Sequence, residues 1–119
     1  MKNESEFISI TPIIPSGKSL VEALEFYTNK LGFTVAWQAG EMAGIGRGAV
    51  MLNLVQNDDK AWIDNSSFSI GVSNLDALYQ EYQSKSVEVG QLEMKSWGRR
   101  EFHMVVPSGV CLQFYQVED

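Results

Sequence analysis

Trp97-Gly98-Arg99-Arg100-Glu101-Phe102, running on through Pro107-Ser108-Gly109 to Leu112-Gln113-Phe114, carries the strongest fold signal in the chain. It predicts a strand, a Pro-x-Gly turn and a returning strand. Proline presets the turn and glycine supplies the backbone freedom to close it. Just ahead of the turn the chain gathers an aromatic ring, two guanidiniums, a carboxylate and its only histidine, His103.

Outward from this hairpin, two halves with one plan can be read. In the first, Phe7 to Ile14 is a β-branched run, and Ser19 can start a helix whose Leu20, Ala23, Leu24, Tyr27 and Leu31 recur at helical spacing. Gly32 stands where a C-terminal cap belongs. Three short strands follow, Phe33 to Gln38, Glu41 to Gly46 and Ala49 to Val55, with turns at Ala39-Gly40 and Arg47-Gly48. The second half repeats the order. Ser67 to Val72 alternates as a strand, and Asn74 suits the N-cap of a helix carrying Leu75, Leu78, Tyr79 and Tyr82. Val87 to Lys95, Arg100 to Val105 and Val110 to Val117 supply three more strands. The polar segment from Gln56 to Ser66 reads as the connection between halves. The predicted class is α+β: one domain, residues 1–119, of two β-α-β-β-β modules over about 5–57 and 66–119. A ferredoxin-like sandwich is the competing architecture.

Composition narrows the function. At 119 residues and 45% apolar content the chain can bury a real core. No apolar run nears the ~20 residues of a membrane span, and Met1-Lys2-Asn3-Glu4 opens no signal peptide, so a soluble cytoplasmic protein is expected. A net charge of −6 spread along the chain argues against nucleic acid as partner and is compatible with cationic small molecules. The single Cys111 excludes an internal disulfide and is read as an inert thiol.

The closing hairpin resembles that of the glyoxalase/bleomycin-resistance family, the vicinal oxygen chelate superfamily, in which W-G-x-R-x-F followed by D-P-x-G closes a small-molecule cleft. Thr11 to Phe33, with Phe26-Tyr27 and then Leu31-Gly32-Phe33, resembles the family's first strand and helix. The resemblance implies curved mixed sheets around a cleft, and two chains associating as a homodimer. Val106 and Val110 depart from the family's acidic residue before the turn proline and asparagine after its glycine.

Alternation splits each strand into two faces. One is greasy: Val50, Leu52 and Leu54, or Val110, Leu112 and Phe114. The other is mixed, with Met51 and Asn53, Ser67 and Ser69, Gln113 and Tyr115, as expected of a wet pocket lining. By the resemblance, metal-dependent members place His or Glu at positions that here fall on Thr11, Asn53, Ser67 and Gln113. Neutral oxygens there cannot hold a transition metal, so no metal site and no cofactor are expected. The residues expected to contact ligand are Thr11, Met51, Asn53, Ser67, Ser69, Gln113 and Tyr115, with Trp97 and Glu101 near the mouth. Arg99 and Arg100 are candidates to clamp an anionic group, and Trp37, ending an apolar strand, is read as packing. The implied function is that of a metal-free protein sequestering a small, flat, aromatic or cationic molecule such as an antibiotic. The alternative is an isomerase or lyase of the same fold using Glu101 and His103, neighbours on one strand face, as an acid/base couple.

Overall fold

A computed structural model describes residues 4–118; Met1 to Asn3 and Asp119, within the expected domain limits, lie outside the described residues. Two four-stranded mixed sheets form, one per module. The first has the order β1-β4-β3-β2, from β1 (Ile13–Pro15), β2 (Thr34–Ala39), β3 (Met42–Arg47) and β4 (Val50–Val55). The second has the order β5-β8-β7-β6, from β5 (Ser67–Val72), β6 (Glu93–Met94), β7 (Arg100–Val105) and β8 (Cys111–Gln116). In each, the opening strand runs parallel to the last and the remaining pairs are antiparallel. This is the paired-module fold expected from the sequence. A ferredoxin-like sandwich, with one continuous sheet, is excluded by the two separate ones.

Helix α1 (Leu20–Glu25) starts at Ser19, whose hydroxyl accepts the Glu22 amide at 3.1 Å. It widens into a π-helical turn over Phe26–Lys30 before Gly32, at φ +79°, ends it. Helix α3 (Leu75–Ser84) is capped by Asn74, which accepts the Ala77 amide at 3.0 Å. Their apolar stripes enter a core cluster that takes residues from both modules, from Ile14, Leu24 and Leu54 to Leu78, Phe102 and Phe114. Phe102 and Phe114 stack at 5.2 Å, and the buried Tyr82 ring packs edge-on against both. Between modules, Tyr82 donates its hydroxyl to the Leu31 carbonyl at 3.1 Å, and Arg47 makes a two-pronged contact with Glu81.

Three elements differ from the sequence reading. The first strand is only Ile13–Pro15, because Phe7 to Thr11 have no neighbouring strand to pair with. The connection between halves contains a helix, α2 (Lys60–Asp64). It is capped by Asp59, braced by the Lys60–Asp64 pair and anchored by the buried Ile63. The strand expected over Val87 to Lys95 shortens to Glu93–Met94; upstream, a single bond from the Gly90 amide to the His103 carbonyl holds the chain.

Candidate functional site

The greasy face of each sheet is spent on the core, leaving the mixed face toward solvent. In the second sheet, β5, β8 and β7 align Ser69 with Gln113 and His103 in one row, and Gly71 with Tyr115 and Glu101 in the next. The Ser69 hydroxyl donates to Gln113 Oε1 at 3.1 Å, and the Gln113 amide donates to Ser67 Oγ at 2.8 Å. These three expected residues are therefore brought together and hydrogen-bonded into a polar floor.

Glu101 organises the rest. Its side chain is fully buried, at 0% exposure. The Trp97 indole N–H donates to Oε2 at 2.9 Å, Arg99 Nε donates to the same oxygen at 2.8 Å, and His103 Nε2 lies 2.6 Å from Oε1. Burial alone would raise this carboxyl's pKa. The hydrogen bonds from His103, Arg99 and Trp97 outweigh it and hold the pKa down to about 2. Glu101 thus sits beneath the mouth rather than at it. Above it Trp97 is 62% exposed.

The two arginines separate by strand alternation. Arg99 stays on the mixed side: it reaches Ser69 Oγ at 3.2 Å and stacks its guanidinium 3.9 Å from the centre of the Tyr115 ring. Tyr115 therefore meets the cleft with one ring face already covered. Arg100 points the other way and pairs with Asp76 on α3 at 2.6 Å.

In the first sheet, Asn53 lies between Ile13 and Gly44, and Met51 faces Gly46. Thr11 lies outside β1, exposed on the segment that precedes it. Trp37 is the residue that sequence reasoning misplaced. Val35 pairs with the buried Ile45, and simple alternation would put Trp37 on that same core side. The register shifts at Ala36, so Trp37 pairs instead with Gly44, in the Asn53 row. A bulge of one residue re-aims every side chain after it. The indole lies across Gly44, where any Cβ would collide with it, and remains 40% exposed. Met51 lies over Gly46, and Tyr115 over Gly71, in the same way. The readable signal was the glycines themselves: Gly44 and Gly46 inside a strand mark a close approach.

Among the described residues no group of three or more His, Cys, Asp or Glu is placed to hold a metal ion. Asn53, Ser67 and Gln113 lie on the mixed faces of β4, β5 and β8, with Thr11 on the segment before β1.

Residues 16–114 match the model of the Glyoxalase/Bleomycin resistance protein/Dioxygenase superfamily. The chain belongs to this family. Within the superfamily it is similar to the bleomycin resistance proteins of Geobacillus stearothermophilus and Staphylococcus aureus. Each is 24% identical over 124 residues, covering 88% of this chain and 93% of the relative. Among solved structures, the bleomycin-binding protein of bleomycin-producing Streptomyces verticillus, complexed with copper(II)-bleomycin, superposes with a TM-score of 0.86. It is 24% identical, covering 97% of this chain and 100% of that one. The bleomycin resistance determinant encoded on the transposon Tn5 gives a TM-score of 0.83 at 22% identity, covering 95% and 100%. At these identities the structures establish the fold.

Proposed function

We propose that this protein binds and sequesters a small, flat molecule of aromatic or cationic character, such as an antibiotic, without metal or turnover. It would act in the cytoplasm as one domain, residues 1–119, paired with a second copy so that mixed faces from two chains enclose the ligand. Trp97 and Trp37 offer exposed indole faces for stacking and cation–π contact, each worth roughly 0.5–2 kcal/mol. Met51, Asn53, Ser67, Ser69 and Gln113 line the floor, and Arg99 and Tyr115 form one wall. Similarity to bleomycin resistance proteins supports a ligand of the bleomycin kind.

The observation that carries this reading is the engagement of Glu101. A carboxylate held near pKa 2 and already accepting from three donors is a poor general base near neutral pH. It is well suited to fixing Trp97, Arg99 and His103 in binding positions, which reduces the entropy lost when a ligand arrives.

The acid/base alternative rests on the 2.6 Å contact between His103 and Glu101. Titration of chelator-treated protein with metal-free bleomycin, followed by tryptophan fluorescence, tests the two together. Sequestration predicts saturable quenching, an unaltered ligand recovered at the end, and an affinity that changes less than about tenfold in His103→Ala. Ligand conversion that His103→Ala abolishes would replace this reading with the enzymatic one.

A further inference from the structure

The polar floor of the second sheet has a direction. A guanidinium can only donate, so the Ser69 oxygen accepts from Arg99 Nη2 at 3.2 Å, and the one Ser69 hydrogen passes to Gln113 Oε1 at 3.1 Å. The Gln113 amide in turn donates to Ser67 Oγ at 2.8 Å, which leaves the Ser67 hydrogen unbonded. Turning the amide over would leave the Ser69 hydrogen unbonded instead. Either way, one hydroxyl hydrogen and one amide hydrogen of the floor have no acceptor among the described residues. Arg99 Nη1 has none either.

The charges are layered in the same sense. Arg99 and Glu101 form an ion pair at 2.8 Å, the carboxylate side chain 0% exposed and the guanidinium side chain 36% exposed. A molecule arriving from solvent therefore meets the cation first. Among the described residues on the mixed side of this sheet, the second carboxylate is Glu93, opposite Glu101, and Lys95 holds it at 2.9 Å. An incoming ammonium would find both carboxylates already paired, whereas an acid would find hydrogens ready to donate. Aromatic contact is built into the same corner. Trp97 Nε1 and Arg99 Nε donate to one oxygen of Glu101, so indole and guanidinium are held side by side, with the indole largely exposed.

We propose that this face binds an aromatic acid, its flat ring against the Trp97 indole and its carboxylate on Arg99 Nη1 and the unbonded hydroxyl of the floor. This rests on the proposed binding function and narrows its ligand: the aromatic character is kept, and the group that meets Arg99 is an anion. Glu101 is the positioning residue, because its one shared oxygen sets the spacing between ring site and acid site.

Calorimetric titration of the full chain with three probes of one shape decides it: 2-naphthoate, 2-naphthylmethanol and 2-naphthylmethylammonium. The naphthoate should bind more tightly than the alcohol by about tenfold or more, with the ammonium weakest. Arg99→Gln should bring naphthoate and alcohol to within about threefold of each other. Ser67→Ala with Ser69→Ala keeps the Arg99–Glu101 pair, so it tests the floor even where Arg99→Gln fails to fold, and it should reduce the preference by about threefold or more. A naphthoate no tighter than the alcohol, or an ammonium tighter than both, would overturn the acid and leave an aromatic binder. A preference that both folded variants retain would also overturn it, since the acid would then lie elsewhere. Failure of all three probes in protein that binds metal-free bleomycin would overturn the aromatic acid and keep sequestration. Failure of bleomycin as well would overturn both.

Discussion

Replacing Glu101 by Gln is the perturbation with the most to say about how the site is built. The carboxylate accepts from Trp97 and Arg99 on one oxygen and faces His103 on the other. An isosteric amide can still accept from Trp97 and Arg99 while its NH2 faces His103 Nε2, but it removes the negative charge that Arg99 pairs with. A pKa lowered from 4.5 to about 2 corresponds to roughly 3 kcal/mol at about 1.36 kcal/mol per unit, as an upper bound. The cover over Glu101 is a single layer of half-exposed side chains, and solvent screening through it brings the expected loss to about 1–2 kcal/mol. Because the folded-state pKa lies below the unfolded one, this contribution is fully present above about pH 4.5. It is lost as pH falls toward about 2. Urea unfolding across pH 2 to 7 should therefore place Glu101→Gln about 1–2 kcal/mol below wild type at neutral pH, with the two curves converging in acid. The indole of Trp97, released from its anchor, should also change its fluorescence. A variant as stable as wild type at pH 7, with a parallel pH dependence, would refute the idea that buried Glu101 holds this cluster.

Two further outcomes follow from specific contacts. Gly44→Val should displace the Trp37 indole that now lies across it, so ligand affinity should fall about as far as in Trp37→Ala, by roughly 0.5–2 kcal/mol in a fluorescence titration. Unchanged affinity in both would remove Trp37 from the site. Among the described residues the buried Tyr27 hydroxyl has no hydrogen-bond partner, and burial pushes its pKa up. Tyr27→Phe should therefore be neutral or stabilising by up to about 1 kcal/mol in urea unfolding, whereas a loss above 1 kcal/mol would show that the hydroxyl is satisfied.

Much of the fold was legible because it is written in side-chain chemistry that acts locally. Ser19 and Asn74 mark helix starts through the hydrogen bonds that they make. The Ser67–Val72 strand and the strand ending at Val105 have the predicted bounds, since alternation there reflects one buried face and one open face. What escaped depends on neighbours distant in sequence. Phe7 to Thr11 has strand-forming residues, but a strand exists only where an edge pairs with it, and that stretch pairs with none. Helix α2 hides in a polar segment because its stability comes from the Asp59 cap and one buried isoleucine rather than from a periodic stripe. In the site, the polar floor of Ser67, Ser69 and Gln113 could be read from alternation. Trp37 could not, because one bulge at Ala36 reverses the parity of everything after it. The roles of Arg99 and Arg100 also turn on parity: adjacent in sequence, they serve opposite faces of one sheet.

Thermal unfolding of chelator-treated protein separates metal-free binding from binding that needs a metal. The protein would be melted alone, with divalent metals, and with a panel of aromatic cationic antibiotics that includes metal-free bleomycin. A ligand at about a hundred times its Kd adds roughly 2.7 kcal/mol of stability, a readily measured rise in Tm. Metal-free binding predicts that rise with one or more of the antibiotics and none with the metals. A rise with a metal alone would contradict it.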